Sequence, residues 1–128
     1  MRLLPASQAE AIIDEVEKVL LYSGFKLEKT LVEIMNPRDE GLYAWFTVNF
    51  LLDIFSQSLM ESYVSLDLGG GSTQITFAPA EYPIGGLEGR KHFLHNVTIL
   101  GDRREVYTHS YLGLGLMAAR EAIFTQGN

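Results

Sequence analysis

Hydrophobic positions near the start of the chain recur at helical spacing. Ala11, Ile12, Val16, Val19 and Leu20 form an apolar stripe, and Ser7 followed by Glu10 has the form of a capping box, so a helix is predicted up to about Tyr22 with Ser23-Gly24 as its stop. Residues 31–35, Leu-Val-Glu-Ile-Met, predict a short strand that Asn36-Pro37 ends. After Asp39-Glu40-Gly41 the spacing turns helical again. Trp45, Val48, Leu51, Leu52 and Phe55 share one face, with Tyr43, Phe46 and Phe50 widening it, which predicts a helix covered on more than one side. Residues 62–68 and 73–77 read as the arms of a β-hairpin about Gly69-Gly70-Gly71-Ser72. A loop over residues 79–89 follows, then two strands over 92–100 and 105–109 about Gly101-Asp102. Leu112, Leu116, Ala119 and Ile123 predict a last helix before Gly127-Asn128.

Composition narrows what these elements can be for. With 128 residues, 47% of them hydrophobic and 20% charged, the chain is globular in character and large enough for one core. A net charge of -6, with basic residues grouped only around Gly89 to His92 and at Arg103-Arg104, argues against binding a nucleic-acid backbone. It leaves polyphosphates open, because backbone N–H groups and a divalent cation can supply the local attraction. There is no cysteine, and His92, His95 and His109 lack metal-ligand spacing, so neither a disulfide framework nor a zinc site is expected. No apolar run reaches the roughly 18 residues that span a bilayer, and no targeting signal is read in the chain.

The strongest chemical pattern is Leu66-Asp67-Leu68-Gly69-Gly70-Gly71-Ser72-Thr73-Gln74. A carboxylate closes an apolar strand, three glycines allow backbone N–H groups to approach phosphate oxygens, and three hydrogen-bonding side chains follow. The Lys of a P-loop is missing, and a dinucleotide fingerprint would open a helix here instead of joining two strands. The plain alternative is a glycine-rich hairpin with an incidental Asp. Glu40 reads either as a first-turn acid that complements the helix dipole or as a base aimed into a cleft. Trp45 and Asn49 share a helix face, Trp45 as core and Asn49 as a brace that must find partners. His109-Ser110 reads as a helix cap or interface feature, with no hydrolase triad around it. Asn96-Val97-Thr98 has the form of an N-glycosylation acceptor.

Taken together, residues 39–50, 67–77 and 107–113, with Met1-Arg2-Leu3-Leu4-Pro5 and the helix after it, resemble the ectonucleoside triphosphate diphosphohydrolase (apyrase) family, particularly its soluble secretory-pathway nucleoside-diphosphatase branch. The resemblance implies an α/β fold of the actin-like ATPase superfamily with ribonuclease-H-like lobes, here incomplete. Residues 1–55 would close the N-terminal lobe and residues 63–128 open the C-terminal one. It implies hydrolysis of the terminal phosphate of nucleoside diphosphates, and of triphosphates, with Mg2+ or Ca2+. Glu40 is then the catalytic base, and Ser72 and Gln74 orient the attacking water. Gly69, Gly70, Gly71 and Ser72 contact phosphate, and Asp67 holds the metal through water. Gly71 stands where the family often has Ala.

The family's first phosphate loop, its later nucleoside pocket and its cysteines are not in this sequence, so the chain reads as an internal fragment of a parent enzyme. Little or no activity is expected of it alone. Exposed apolar surface, self-association, a glycan at Asn96 and a place in the secretory-pathway lumen are further implications. The competing functions are an actin-like nucleotide-binding module without turnover, and a structural fragment that pairs with another chain.

Overall fold

The computed structural model describes residues 1–24, 26, 32–57, 62–79 and 88–125. They divide into two compact units, Met1–Asn36 and Pro37–Asn128.

The first unit is built on helix α1, Ala6–Tyr22, which follows Pro5. Pro5 is itself the N-cap and no side chain caps the helix, so Ser7 lies inside the first turn and the predicted capping box does not form. Ala9 is the buried residue of α1, with Ile13 and Leu20 half-buried along the same side, while Ile12, Val16 and Val19 are exposed. Residues 32–36 run without strand pairing, so the predicted strand over 31–35 is not found there; Leu31 is outside the described residues. Among the described residues of this unit there is no second strand for this segment to pair with.

The second unit opens with α2, Pro37–Leu51, so the helix begins ahead of Asp39-Glu40-Gly41 and not after it. Pro37 is favoured in a first turn because its missing N–H has no intrahelical acceptor to lose, and Asp39 and Glu40 place negative charge at the positive end of the helix. The buried stripe is narrow: Gly41, Trp45 and Asn49, each four residues from the next. Val48, Leu51 and Leu52, predicted to share the buried face, are instead exposed, as are Tyr43 and Phe50. Asp53, at φ 55°, turns the chain into the short helix α3, Ile54–Gln57.

Strands β1, Ser65–Leu68, and β2, Ser72–Phe77, form the expected hairpin around the glycines. A 3-10 stretch at Glu88–Phe93 leads into β3, Leu94–Ile99, and β4, Asp102–Leu112. Residues 80–87 of the predicted loop are outside the described residues. The sheet is antiparallel throughout, in the order β1-β2-β4-β3. Ile99 faces Asp102, so the β3–β4 turn is Leu100-Gly101 and not Gly101-Asp102; both residues have positive φ, 50° and 97°, as a two-residue hairpin turn requires. The last helix, α4 at Leu116–Thr125, starts later than predicted because Leu112 completes β4. The proposed stop at Gly127-Asn128 is outside the described residues.

One face of the sheet receives α2. Strand alternation puts Ser72, Gln74 and Thr76 on this buried side of β2, and the register adds Ser65 and Asp67 from β1 and Val106, Thr108 and Ser110 from β4. Trp45 packs on Ile99 and Val106, with Leu42, Phe46, Phe55, Ala78 and Val97 around them. The Phe55 ring meets Trp45 edge-on at 5.8 Å and stacks on Phe46 at 5.3 Å. Nearer the glycine turn the interface is polar and tight. Thr76 and Thr108 share a hydroxyl hydrogen bond of 2.8 Å directly beneath Gly41.

Candidate active site

Helix α2 and strand β2 bring together residues that lie far apart in the chain. Glu40, in the first turn of α2, accepts a hydrogen bond from Gln74 Nε2 through its Oε2 at 2.7 Å. Gln74 Nε2 also lies 2.8 Å from Ser72 Oγ and 3.0 Å from Ser110 Oγ. The amide nitrogen has to be the atom facing Glu40, because the reverse orientation would set two oxygens against each other. Gln74 is only 1% exposed, and its Oε1 finds no donor among the described residues. A buried acceptor without a donor is uncommon and is satisfied most simply by a water molecule.

Two further features anchor this cluster. Asn49 donates to the carbonyls of Trp45 (2.9 Å) and Tyr63 (3.1 Å) and accepts from the Tyr63 N–H at 2.7 Å, fastening α2 to the segment that becomes β1. Asp67 stands opposite Gln74 in the β1–β2 register, so both side chains occupy the face beneath α2. The Asp67 carboxylate is half-buried and makes no hydrogen bond or ion pair with a described residue.

The glycine turn closes the hairpin one residue from Ser72. Gly69 N–H donates to the Ser72 carbonyl at 2.9 Å, whereas the N–H groups of Gly70 and Gly71 meet no acceptor among the described residues. Two adjacent unpaired N–H groups beside a buried carboxylate-amide-hydroxyl cluster suit a phosphate and a water molecule.

The opposite face of the sheet carries a different set of side chains. His109 lies against Phe93 at 3.8 Å and Tyr111 at 4.3 Å, and Tyr107 stacks on Phe77 at 4.9 Å. Burial, then the neighbouring His92 and Arg90, hold the His109 pKa below its ordinary value. Burial also raises that of Tyr107. His95 of β3, opposite Val106 and so on the α2 face instead, has its pKa lowered by burial and then by Arg38. His109 and Ser110 are therefore consecutive residues of β4 facing opposite sides, and neither caps a helix.

The profile of the GDA1/CD39 (nucleoside phosphatase) family matches residues 1–126. The chain belongs to that family. It is 42% identical over 122 residues to nucleoside diphosphate phosphatase ENTPD5 of Homo sapiens, a match covering 95% of this chain and 28% of that protein. It is 43% identical over 129 residues to ectonucleoside triphosphate diphosphohydrolase 6 of Rattus norvegicus, covering 96% and 27%. The segment thus spans about a quarter of the length of these relatives. The family resemblance read from the residues is borne out, as is a mixed α/β architecture.

Among the described residues no group of three or more His, Cys, Asp and Glu could enclose a metal ion. The Asp67 carboxylate is a hard oxygen donor that meets no partner among the described residues, which suits a divalent cation. Of the residues expected to form the site, Glu40, Ser72 and Gln74 meet within hydrogen-bond distance, Asp67 stands across from Gln74, and Gly69, Gly70 and Gly71 form the adjoining turn. Ser110 was missed. Its alternation with Thr108 and Val106 was the available signal, and it was hidden by ending the predicted strand at His109.

Proposed function

We propose that this segment supplies the base, the water-orienting groups and one phosphate loop of an enzyme that hydrolyses the terminal phosphate of nucleoside diphosphates, and of triphosphates, in the presence of Mg2+ or Ca2+. The observation that carries the reading is the Glu40–Gln74–Ser72 chain of contacts, 2.7 Å and 2.8 Å, beside a turn with two outward N–H groups.

Water is the nucleophile. Its oxygen forms a bond to the terminal phosphorus, the bond from phosphorus to the bridging oxygen breaks, and the shortened nucleotide leaves with that electron pair. Glu40 takes the proton the water loses. Gln74 holds the Glu40 carboxylate through Nε2 and offers Oε1 to the water, and Ser72 helps fix the water's position. The N–H groups of Gly70 and Gly71, with Gly69 and Ser72 framing them, bind the oxygens on which charge accumulates. A divalent cation near Asp67 would neutralise phosphate charge and align the transferring group.

The finer architecture belongs to the same proposal: two ribonuclease-H-like lobes of actin-like type. So does a location in the lumen of the secretory pathway; no described helix is long and apolar enough to cross a membrane. Asn96 and Thr98 are exposed on the edge strand β3, a position open to glycosylation, and intact mass before and after glycosidase treatment of secreted material tests occupancy.

The function is tested by Glu40→Gln in the parent enzyme. The amide retains size and a contact to Gln74 but is no base. Phosphate release is expected to fall by about two orders of magnitude or more while metal-dependent nucleotide binding persists. Turnover equal to that of the unmodified enzyme would remove Glu40 from the mechanism.

A further inference from the structure

The glycine turn is held from behind by the start of the last helix. Leu116 N–H donates to the Gly69 carbonyl at 2.9 Å, Met117 N–H to the Gly70 carbonyl at 2.8 Å, and Ala118 N–H to the same carbonyl at 3.2 Å. Gly113 N–H, just upstream, donates to the Gly71 carbonyl at 2.8 Å, and Thr73 Oγ1 donates to the Leu114 carbonyl at 2.5 Å. The first N–H groups of a helix have no acceptor inside it. Here they are spent on the turn, and the first intrahelical bond of α4 is Ala119 N–H to Gly115 carbonyl at 2.9 Å.

This has a directional consequence. No described peptide bond is cis. In a trans peptide the carbonyl of one residue and the N–H of the next point in opposite directions. With the Gly69 and Gly70 carbonyls drawn toward α4, the N–H groups of Gly70 and Gly71 must point away from it, and these are the two that meet no acceptor among the described residues. Hydrogen bonding at the carbonyl also polarises each peptide, leaving its N–H a stronger donor.

Gly115 makes the approach possible. A Cβ there would lie 2.5 Å from the Gly70 carbonyl oxygen and 2.4 Å from Ser72 N, both backbone atoms. Met117 likewise closes on Gly70, whose own Cβ would meet its side chain at 3.6 Å.

We infer that residues 113–118 are a clamp that aims the paired N–H groups of the glycine turn at phosphate, with Gly115 as the positioning residue that lets the clamp seat. This rests on the phosphate-binding reading of the turn, and assigns the phosphate affinity in part to a helix that touches no phosphate itself.

The test uses Mg2+ with inorganic pyrophosphate as the probe, following the Gly70 and Gly71 amide resonances and the binding isotherm. Leu116→Pro is the informative variant. Leu116 is exposed and is the first residue of α4, where proline is favoured, so the helix should survive with only the bond to Gly69 removed. Binding is expected to weaken about threefold to tenfold, as fits the loss of one hydrogen bond, while Leu116→Ala stays within about twofold. Gly115→Ala is expected to weaken it more than about tenfold, with unchanged helical content by circular dichroism for all three.

Absence of any Gly70 or Gly71 response in the unmodified protein would overturn the phosphate reading and the clamp with it. A clear response there, together with unaltered affinity in folded Leu116→Pro and Gly115→Ala, would overturn the clamp alone.

Discussion

Gly41 shows how much one absent side chain can decide. It lies where α2 comes closest to the sheet, and a Cβ at that position would sit 2.3 Å from Thr108 Oγ1 and 2.7 Å from Thr76 Oγ1. Gly41→Ala should therefore push the helix off the Thr76–Thr108 pair and destabilise the protein by about 1–3 kcal/mol, read as a lowered urea midpoint. The same displacement moves Glu40, one residue earlier, away from Gln74. An unchanged midpoint would mean that α2 has slack the packing does not show. In the sequence, Gly41 looked like a preface to the helix, because nothing local distinguishes a glycine that ends a turn from one that admits a neighbouring strand. The turn residues Asp67 to Gln74 were legible for the opposite reason: hairpin, glycines and polar trio all fall within eight consecutive positions and need no distant partner to be read. The Glu40–Gln74 contact spans 34 positions, and residue identity alone could nominate its members without joining them.

At the level of elements, alternation and turn chemistry carried the hairpin and both later strands, but not their ends. The β3–β4 turn places Leu100 at φ 50°, 75% exposed, in a conformation that costs a leucine about 1–2 kcal/mol and that Asn tolerates. Leu100→Asn should raise stability by about 0.5–1 kcal/mol in thermal unfolding, and a loss of stability would argue that the turn is of another type. The exposed Val48 and Leu51 of α2, with Leu52 just after it, misled the helix reading because apolar spacing reports a face, not whether the chain at hand covers it. On the far side of the sheet, His109 has a pKa held below the ordinary 6.5 by burial first. The unfolded chain then binds more protons than the folded one below that pH, so this contribution to stability is complete above about 6.5 and is lost as pH falls through the lower, folded value. His95 acts in the same sense. Urea midpoints measured from pH 7.5 to 5.5 should fall, and less so in His109→Gln; parallel slopes for the two proteins would remove His109 from the account.

For the molecule as a whole, the apolar surface left in view has consequences for the chain in isolation. Leu66 and Leu68 on the edge strand β1 are 71% and 62% exposed, and Ile123 and Phe124 on α4 are 72% and 69%. An edge strand with free backbone groups and bare leucines invites association. The purified 128-residue chain is accordingly expected to elute above monomer size and to release no phosphate from nucleoside diphosphates with Mg2+ or Ca2+, since groups on one side of a phosphate cannot fix it for attack. A folded monomer with metal-dependent multiple turnover, abolished by Glu40→Gln, would refute this. One feature of the second unit bears on how a parent enzyme would move. Glu40, Ser72, Gln74 and Ser110 all belong to Pro37–Asn128, so the proposed proton acceptor and water-holding groups travel as one body. Opening and closing around the nucleotide can then govern when a turnover starts without retuning the chemistry. Hinge substitutions elsewhere in such an enzyme would alter its sensitivity to solvent viscosity and leave its pH–rate profile unchanged.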